Sequence, residues 1–335
     1  MNEQARAQKK PFPVARIAGV SFVIVTLWAL AVLVIGGNAY YEQILTLVCI
    51  NIMMVVGLNL INGFTGMLSI GHAGFMSVGA YIAAFMTRFY GLNFHCALLV
   101  GGLAACLVGV VVGLPTLRLR GDYLAIATLG FGEIIRVIII NIEKVGGPRG
   151  FVGIPPQTTF LITYIWAAAT VLFIMHFMNS TYGRACLAVR EDEIAAEAMG
   201  VNTTYYKVLA FCIGSFFAGV AGGLLAHKLT FLHPMSFGFL KSVEYLIMVV
   251  IGGYGSITGS VLAAGFLTIL SEVLRTVQEW RMIAYSVLLI ALMLTRPEGL
   301  LGGIEFTFAG LRRLRGGAWL KRFQRNNGQA RGESQ

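Results

Sequence analysis

The stretch Cys96–Leu114, CALLVGGLAACLVGVVVGL, runs for nineteen residues without a charged side chain. An α-helix needs about 20 such residues to cross the hydrocarbon core of a bilayer. Lipid offers the backbone no hydrogen-bond partner, so a spanning segment must be a helix or a strand of a closed barrel. Barrel strands alternate apolar and polar residues, and this stretch does not alternate. It therefore predicts a transmembrane helix.

The whole chain repeats this pattern. Of its 335 residues 57% are hydrophobic and 12% charged, with a mean hydropathy of +0.77, whereas soluble domains carry about 25% charged residues. The sequence therefore predicts an all-α, polytopic membrane protein with about ten transmembrane helices. The predicted spans are approximately 17–36, 44–62, 73–88, 96–114, 123–140, 161–178, 208–226, 242–260, 261–276 and 282–295.

The placement of basic residues predicts the orientation. The net charge is +10, and most of the 25 Lys and Arg residues fall in alternate loops and at the two ends of the chain. Because basic loops stay in the cytoplasm, both termini are expected there, with an even number of crossings. Residues 1–16 then form a cytoplasmic segment, 17–305 the membrane domain, and 306–335 a basic tail that lies against anionic lipid. No aromatic interleaving or recognised fold favours nucleic acid as a partner.

Two glycine-rich segments interrupt the apolar runs, Asn62–Gly74 and Gly252–Ser260. Paired breaks of this kind in two halves of a transporter mark a translocation pathway, because irregular backbone at membrane depth must be satisfied by protein or a water-filled cavity. The alternative is a pair of ordinary glycine-rich turns at the membrane surface. The residues predicted to lie along the pathway are Asn62, Gly63, Gly66, Ser69, His72, Glu244, Gly252, Gly253 and Gly255.

Ionisable residues inside apolar spans are costly and face the bundle interior or a cavity. Glu133 with Arg136, and Glu272 with Arg275, have the i, i+3 spacing of pairs that neutralise each other. Glu244 has only Lys241 within three or four residues, which favours it as a pathway group. For His72 the sequence favours hydrogen bonds to freed backbone over contact with a substrate.

The longest internal polar stretch, residues 179–207, separates the sixth and seventh predicted spans. Within it, Ala188–Gly200 has acidic residues early and a glycine at its end, which predicts one short amphipathic helix. On that helix Arg190, Glu193 and Glu197 would share a charged face. Such a helix is suited to docking on a soluble partner.

Six segments then resemble one family in order along residues 44–305. The closest in pattern is Tyr182-Gly183-Arg184 followed by Val189–Asn202, VREDEIAAEAMGVN. This stretch resembles the coupling-helix region of the LivM-type permease subunits of branched-chain amino acid ABC importers. The other segments that resemble the family are Phe64–Phe75, Leu117–Tyr123, Gly146–Gly150, Gly252–Gly259 and Arg296–Leu300.

The resemblance implies a division of labour in a bacterial inner membrane. A second, homologous permease would pair with this chain, two cytoplasmic ATPases would bind below with their ATP and Mg, and a periplasmic or lipid-anchored binding protein would deliver substrate. The chain itself would then be no enzyme and hold no cofactor. The residues implied in ATPase coupling are Arg190, Glu191, Asp192, Glu193, Ala196, Glu197 and Gly200.

Other functions have weaker support in the residues. The chain contains no G-x-x-x-x-G-K-[ST] phosphate-binding motif, so any ATP is expected to be hydrolysed on another subunit. Five cysteines without a CxxC pair imply neither a zinc site nor a disulfide framework. An autonomous secondary transporter or channel for a small polar solute such as urea or an amide is the alternative, since paired broken helices would suit it as well. Such a carrier has no need of a coupling helix.

Overall fold

Long apolar runs become helices throughout the computed structural model, which describes residues 38–116, 119 and 121–274. The predicted spans 17–36 and 282–295, the segment 1–16 and the tail 306–335 lie outside these residues. The helices are α1 (Ala39–Asn59), α2 (His72–Tyr90), α3 (Phe94–Thr116), α4 (Asp122–Ile140), α5 (Phe160–Asn179), α6 (Thr181–Glu191), α7 (Glu193–Ala198), α8 (Thr203–Leu229), α9 (Phe239–Gly252) and α10 (Ile257–Val273).

Short elements connect these helices. Leu60–Phe64 continues α1 as a π-helical turn. The remaining elements are the 3₁₀ turns Glu143–Val145, Gly147–Arg149 and Pro234–Phe237, and the two-residue strands β1 (Phe151–Val152) and β2 (Phe231–Leu232). The strands pair antiparallel, with Phe151 opposite Leu232.

Six of the described helical stretches are long and apolar enough to cross a membrane, which confirms a polytopic membrane protein. They are Ala39–Phe64, Phe94–Thr116, Asp122–Ile140, Phe160–Asn179, Thr203–Leu229 and Pro234–Gly252, and Ile257–Val273 is a shorter apolar helix. The predicted span 73–88 is helical as α2. The predicted span 242–260 is wrong at its far end. Its helix stops at Gly252 because Gly253 has φ +94° and ψ 128°, which no helix continues.

Helix α8 lies at the centre of the bundle, packed against α1, α2 and α3. Glycines make the closest of these contacts. A Cβ at Gly79 of α2 would collide with the backbone of Gly219, and a Cβ at Gly57 of α1 would lie 3.3 Å from the carbonyl oxygen of Gly214. Small residues of this kind let helices in lipid approach backbone to backbone.

Paired polar side chains hold α1 against α10. Asn51 Nδ2 donates a 2.8 Å hydrogen bond to Thr268 Oγ1, and Asn59 Nδ2 donates one of 2.7 Å to Ser260 Oγ. Asn51 and Asn59 are eight residues apart on α1, and Ser260 and Thr268 are eight residues apart on α10, in the opposite order. The two helices therefore run antiparallel, and both bonds fall on one face of each helix. This interface is therefore fixed in register by hydrogen bonds as well as by packing.

A disulfide between Cys106 of α3 and Cys212 of α8 joins two helices of the bundle. The expectation from the sequence, that the cysteines imply no disulfide, is wrong for this pair. The two residues are 106 positions apart. The pairing of Cys106 with Cys212 follows from how α3 packs on α8, and the spacing of the cysteines along the chain does not indicate it.

Replacing Gly79 by valine should destabilise the bundle by about 2 kcal/mol or more, because the new side chain meets backbone that has no room to give way. The measurement is thermal unfolding of the purified protein in detergent. Gly130→Val is the matched control, since a Cβ at Gly130 meets nothing within 4 Å. Equal melting temperatures for the two variants would contradict the packing described here.

Candidate translocation and coupling site

The first interruption comprises residues 60–71, between α1 and α2. It begins as the π-helical turn, turns back at Gly66, where φ is +71°, and continues without helix to Gly71. Five of the predicted pathway residues, Asn62, Gly63, Gly66, Ser69 and His72, lie in it or directly after it. Apart from the exposed Gly66 they are all buried.

Side chains replace the helical hydrogen bonds that this interruption gives up. Asn62 closes the turn on both sides, since Ser69 N donates to its Oδ1 at 3.1 Å and its Nδ2 donates to Ser69 O at 3.2 Å. Ile70 N donates to Thr128 Oγ1 of α4 at 3.1 Å. These bonds satisfy backbone groups of Ser69 and Ile70 without water, as membrane depth requires.

The first interruption ends deep in the bundle, at His72, the first residue of α2. Its Nε2 lies 3.5 Å from the position of a Cβ at Gly57, which in turn contacts Gly214 of α8. Gly214 is eleven residues into the 27-residue helix α8, or about 16 Å along its axis. Helix α2 thus begins inside the bundle, while Gly66 of the same segment is exposed, so the place of this segment along a pathway stays a prediction.

The second interruption comprises residues 253–256, between α9 and α10. Gly253 and Gly255 both have positive φ, +94° and +78°, which favours glycine at each position. Ser256 caps α10 by accepting a 3.1 Å hydrogen bond from Gly259 N. A Cβ at Gly252 would lie 2.8 Å from the Gly259 backbone, so the ends of α9 and α10 pack too closely for a side chain.

The two interruptions meet at Asn59, a residue that sequence reasoning missed. Its Oδ1 accepts a 3.0 Å hydrogen bond from Gly255 N, and its Nδ2 donates to Ser256 O at 3.0 Å. A Cβ at Gly63 would collide with Asn59 Oδ1 and with Gly255 N. The signal in the sequence was an asparagine within an apolar run, three residues before Asn62.

Two polar side chains, one in the first interruption and one directly after it, are buried without a hydrogen bond of normal geometry. Ser69 Oγ and both ring nitrogens of His72 find no partner among the described residues, and both residues are 0% exposed. The expectation that His72 bonds freed backbone stays a prediction. An unpaired buried polar group costs about 1–3 kcal/mol, and such groups concentrate at functional sites.

Of the ionisable residues predicted within the spans, those that the structure describes have polar partners. Arg136 Nε lies 2.6 Å from Glu133 Oε2, which confirms the predicted i, i+3 pair. Lys241 Nζ lies 3.0 Å from Glu244 Oε2, so Glu244 is paired with the one residue that its spacing offered. Its place along the pathway stays a prediction. Glu272 accepts a 3.1 Å hydrogen bond from Tyr40, while Arg275 lies outside the described residues.

The polar loop 179–207 folds as two helices where the sequence predicted one. Asp192 separates α6 from α7 with extended backbone, φ −156° and ψ 111°. Its Oδ1 accepts hydrogen bonds from Ile194 N at 2.9 Å and Ala195 N at 3.0 Å. Asp192 is thus an N-cap, and a side chain that caps the next helix competes with continuing the previous one.

This break separates the charged residues that the prediction placed on one face. Glu193 turns toward the bundle and forms a 2.6 Å ion pair with Lys207 of α8. Arg190 also turns inward, and its Nη1 donates a 2.9 Å hydrogen bond to Gly63 O. Glu197 faces solvent. The common charged face is therefore a wrong prediction.

The outward side of α7 is partly apolar. Ile194 is 69% exposed and Met199 84%. Ala196 is buried and anchors the helix, whereas Glu191 and Glu197 are exposed, and Gly200 ends the segment with φ +85°. Two exposed apolar side chains therefore lie beside acidic residues at this end of the loop.

Helix α6 fastens this loop to the bundle. Gly183 packs against the backbone of Met178 too closely for a Cβ, and Val189 is 4% exposed. Burial raises the pKa of the Cys186 thiol to about 11. The thiol therefore stays protonated at neutral pH and acts as an apolar packing group.

A helical bundle in which two glycine-rich interruptions meet beside an exposed polar loop is typical of a membrane permease. The comparisons with known proteins agree. The family model described as branched-chain amino acid transport system / permease component matches residues 40–295. The chain belongs to this family.

Two relatives extend the likeness over most of the chain. It is 37% identical over 294 residues to the high-affinity branched-chain amino acid transport system permease protein LivM of Salmonella typhimurium, covering 77% of this chain and 69% of the relative. The LivM protein of Escherichia coli gives the same identity and coverage.

A second type of permease is more distantly similar. The protein LivH of Escherichia coli is 33% identical over 149 residues, covering 44% of this chain and 47% of the relative. No solved structure matches the chain.

Replacing Asn59 by leucine should loosen the contact between the interruptions, because Gly255 N loses its partner and Ser256 O keeps only its bonds from Ser260. The expected cost is about 2–4 kcal/mol of stability, and amide exchange at residues 253–258 should accelerate, as followed by hydrogen–deuterium exchange mass spectrometry. The control is Asn141→Leu, at an exposed asparagine that bonds within its own helix. Unchanged exchange at 253–258 in Asn59→Leu would refute the proposed contact.

Proposed function

We propose that this chain is one of two homologous permease subunits of an ATP-driven importer, and that it translocates branched-chain or related hydrophobic amino acids. The observation that carries the proposal is the contact of the two interruptions directly beneath the α6–α7 loop. The names of the relatives, LivM and LivH, supply the substrate class and the second permease. The pathway then passes along the residues predicted for it, with Asn59 added.

The proposed topology has about ten crossings and both termini in the cytoplasm of a bacterial inner membrane. Basic residues support this orientation. The α6–α7 loop is then cytoplasmic, and the paired strands β1 and β2 lie on the periplasmic side at the other end of α8. A solute-binding protein, periplasmic or lipid-anchored, would deliver the substrate on that side.

Helix α7 is the proposed docking element for a cytoplasmic ATPase. Its exposed Ile194 and Met199 supply an apolar contact, and Glu191 and Glu197 supply charge at its rim. A small amphipathic helix set into a groove is a common mode of protein recognition. ATP and Mg would bind on the two ATPase subunits, and this chain would act without a cofactor of its own.

The autonomous carrier is the less favoured reading. Both explanations use interrupted helices, but a self-contained transporter does not account for a short helix with exposed apolar side chains that an N-cap and an ion pair to α8 hold at the end of the bundle. The family matched by the chain is a permease component of a transport system.

Uptake measured in the native host tests the function. Deleting the gene should abolish most energy-dependent uptake of radiolabelled leucine, isoleucine and valine, and the wild-type gene should restore it. If urea or amide uptake is lost instead, the autonomous carrier is supported. Unchanged uptake of all these solutes would refute the proposal.

Met199→Asp should weaken ATPase docking by placing a charge in the apolar contact, and a loss of about tenfold in leucine uptake is expected. The assay is complementation of the deletion strain, with membrane levels of the variant measured in parallel. Val152→Asp is the control, since Val152 is 55% exposed at the opposite end of the bundle. Wild-type uptake by Met199→Asp would exclude Met199 from the docking surface.

A further inference from the structure

Arg190 connects the polar loop to the first interruption. It lies in the last turn of α6, and its Nη1 is 2.9 Å from Gly63 O. Gly63 belongs to the π-helical turn that ends α1, where backbone carbonyls run out of helical partners and carry partial negative charge. A guanidinium donating to such a carbonyl forms a charge-assisted hydrogen bond, about twice as strong as a neutral one.

The same side chain contacts the second interruption. A Cβ at Gly255 would lie 2.6 Å from Arg190 Nη1, so the guanidinium sits directly against the Gly255 backbone. The stem of Arg190 covers Gly66, where a Cβ would lie 3.3 Å from Arg190 Cγ. One side chain thus fills the space between both interruptions, and glycine leaves room for it on each.

The charged neighbour of Arg190 does not compete for it. Glu191 Oε1 is 3.9 Å from Arg190 Nε, and the Glu191 side chain is 77% exposed, against 36% for Arg190. An exposed pair at this distance contributes little. The short bond to Gly63 therefore determines where the guanidinium lies.

The position of Arg190 along the chain gives this contact a mechanical consequence. Asp192 follows it with extended backbone, and α7 with its exposed Ile194 and Met199 comes next. A force applied to α7 by a bound partner reaches α6 through this junction. Because α6 packs on the bundle through Val189 and Cys186, its movement displaces the Arg190 side chain relative to Gly63 and Gly255.

We propose that Arg190 transmits movement of the α6–α7 loop to both interruptions at once, and so couples ATPase closure to the opening of the pathway at Gly63 and Gly255. This inference rests on the proposed function. It makes Arg190 a positioning residue that works through the backbone of the interruptions, and not a docking contact as its sequence position suggested. In this proposal its guanidinium contacts the two interruptions and not the ATPase.

The test compares Arg190→Met, Arg190→Lys and the control Arg184→Met in the complete transporter, purified from its host and reconstituted in proteoliposomes. Methionine keeps the stem over Gly66 and removes the donors, and Arg184 is an exposed arginine on the same helix. Leucine uptake and ATP hydrolysis are measured on the same vesicles, and the readout is leucine transported per ATP.

Arg190→Met should keep its ATPase activity and lose leucine transported per ATP by about tenfold. Arg190→Lys should recover part of that loss, and Arg184→Met should stay within about twofold of wild type. A wild-type ratio in Arg190→Met would overturn the inference while leaving the proposed function intact. No ATP-driven leucine uptake by the wild-type transporter would instead refute the proposed function.

A second measurement covers the case in which Arg190→Met fails to assemble. In the wild-type transporter, trapping the ATPases with ATP and vanadate should change amide exchange at residues 62–68 and 253–258 together with residues 188–200. A change at 188–200 with neither interruption affected would overturn the proposal.

Discussion

The structure depends on one requirement, that every backbone amide and carbonyl inside the membrane domain finds a partner without water. Regular helices meet this requirement with their own backbone hydrogen bonds. Between α1 and α2 the backbone is not helical, and side chains of Asn62, Thr128 and Arg190 supply hydrogen bonds from three separate elements. The interruption can exist because the bundle around it provides these groups, so its geometry follows any movement of the elements that carry them.

Asn59 shows how this requirement joins two distant parts of the sequence. Both faces of its amide are used, the oxygen by Gly255 N and the nitrogen by Ser256 O and Ser260 Oγ. A single side chain thus satisfies backbone of the second interruption while it belongs to the helix that leads into the first. Together with the Asn51–Thr268 bond, it fixes the register of α1 on α10. Neither interruption can shift along this interface without breaking buried hydrogen bonds.

The sequence predicted what depends on length and local pattern. Uncharged runs located most helices to within a few residues, and the glycines with positive φ marked the second interruption, because both properties are local. It did not reveal that Asn59 bonds to residue 255, that Cys106 meets Cys212, or that Lys241 neutralises Glu244. The first two follow from helix packing across long separations. Only the last had a local sign, the i, i+3 spacing of Lys241 and Glu244.

The division of the polar loop at Asp192 explains how one short segment can serve two surfaces. In a continuous helix Arg190, Glu193 and Glu197 fall on one side, where all three would face either the bundle or a partner. Extended backbone at Asp192 interrupts the helical periodicity that would place these three side chains on one face. Arg190 then reaches Gly63, Glu193 pairs with Lys207, and α7 is free to present Ile194 and Met199 outward. Since the Asp192 side chain caps α7 while Asp192 N donates to Ala188 O of α6, one residue bonds both helices and links the outward contacts to the inward ones.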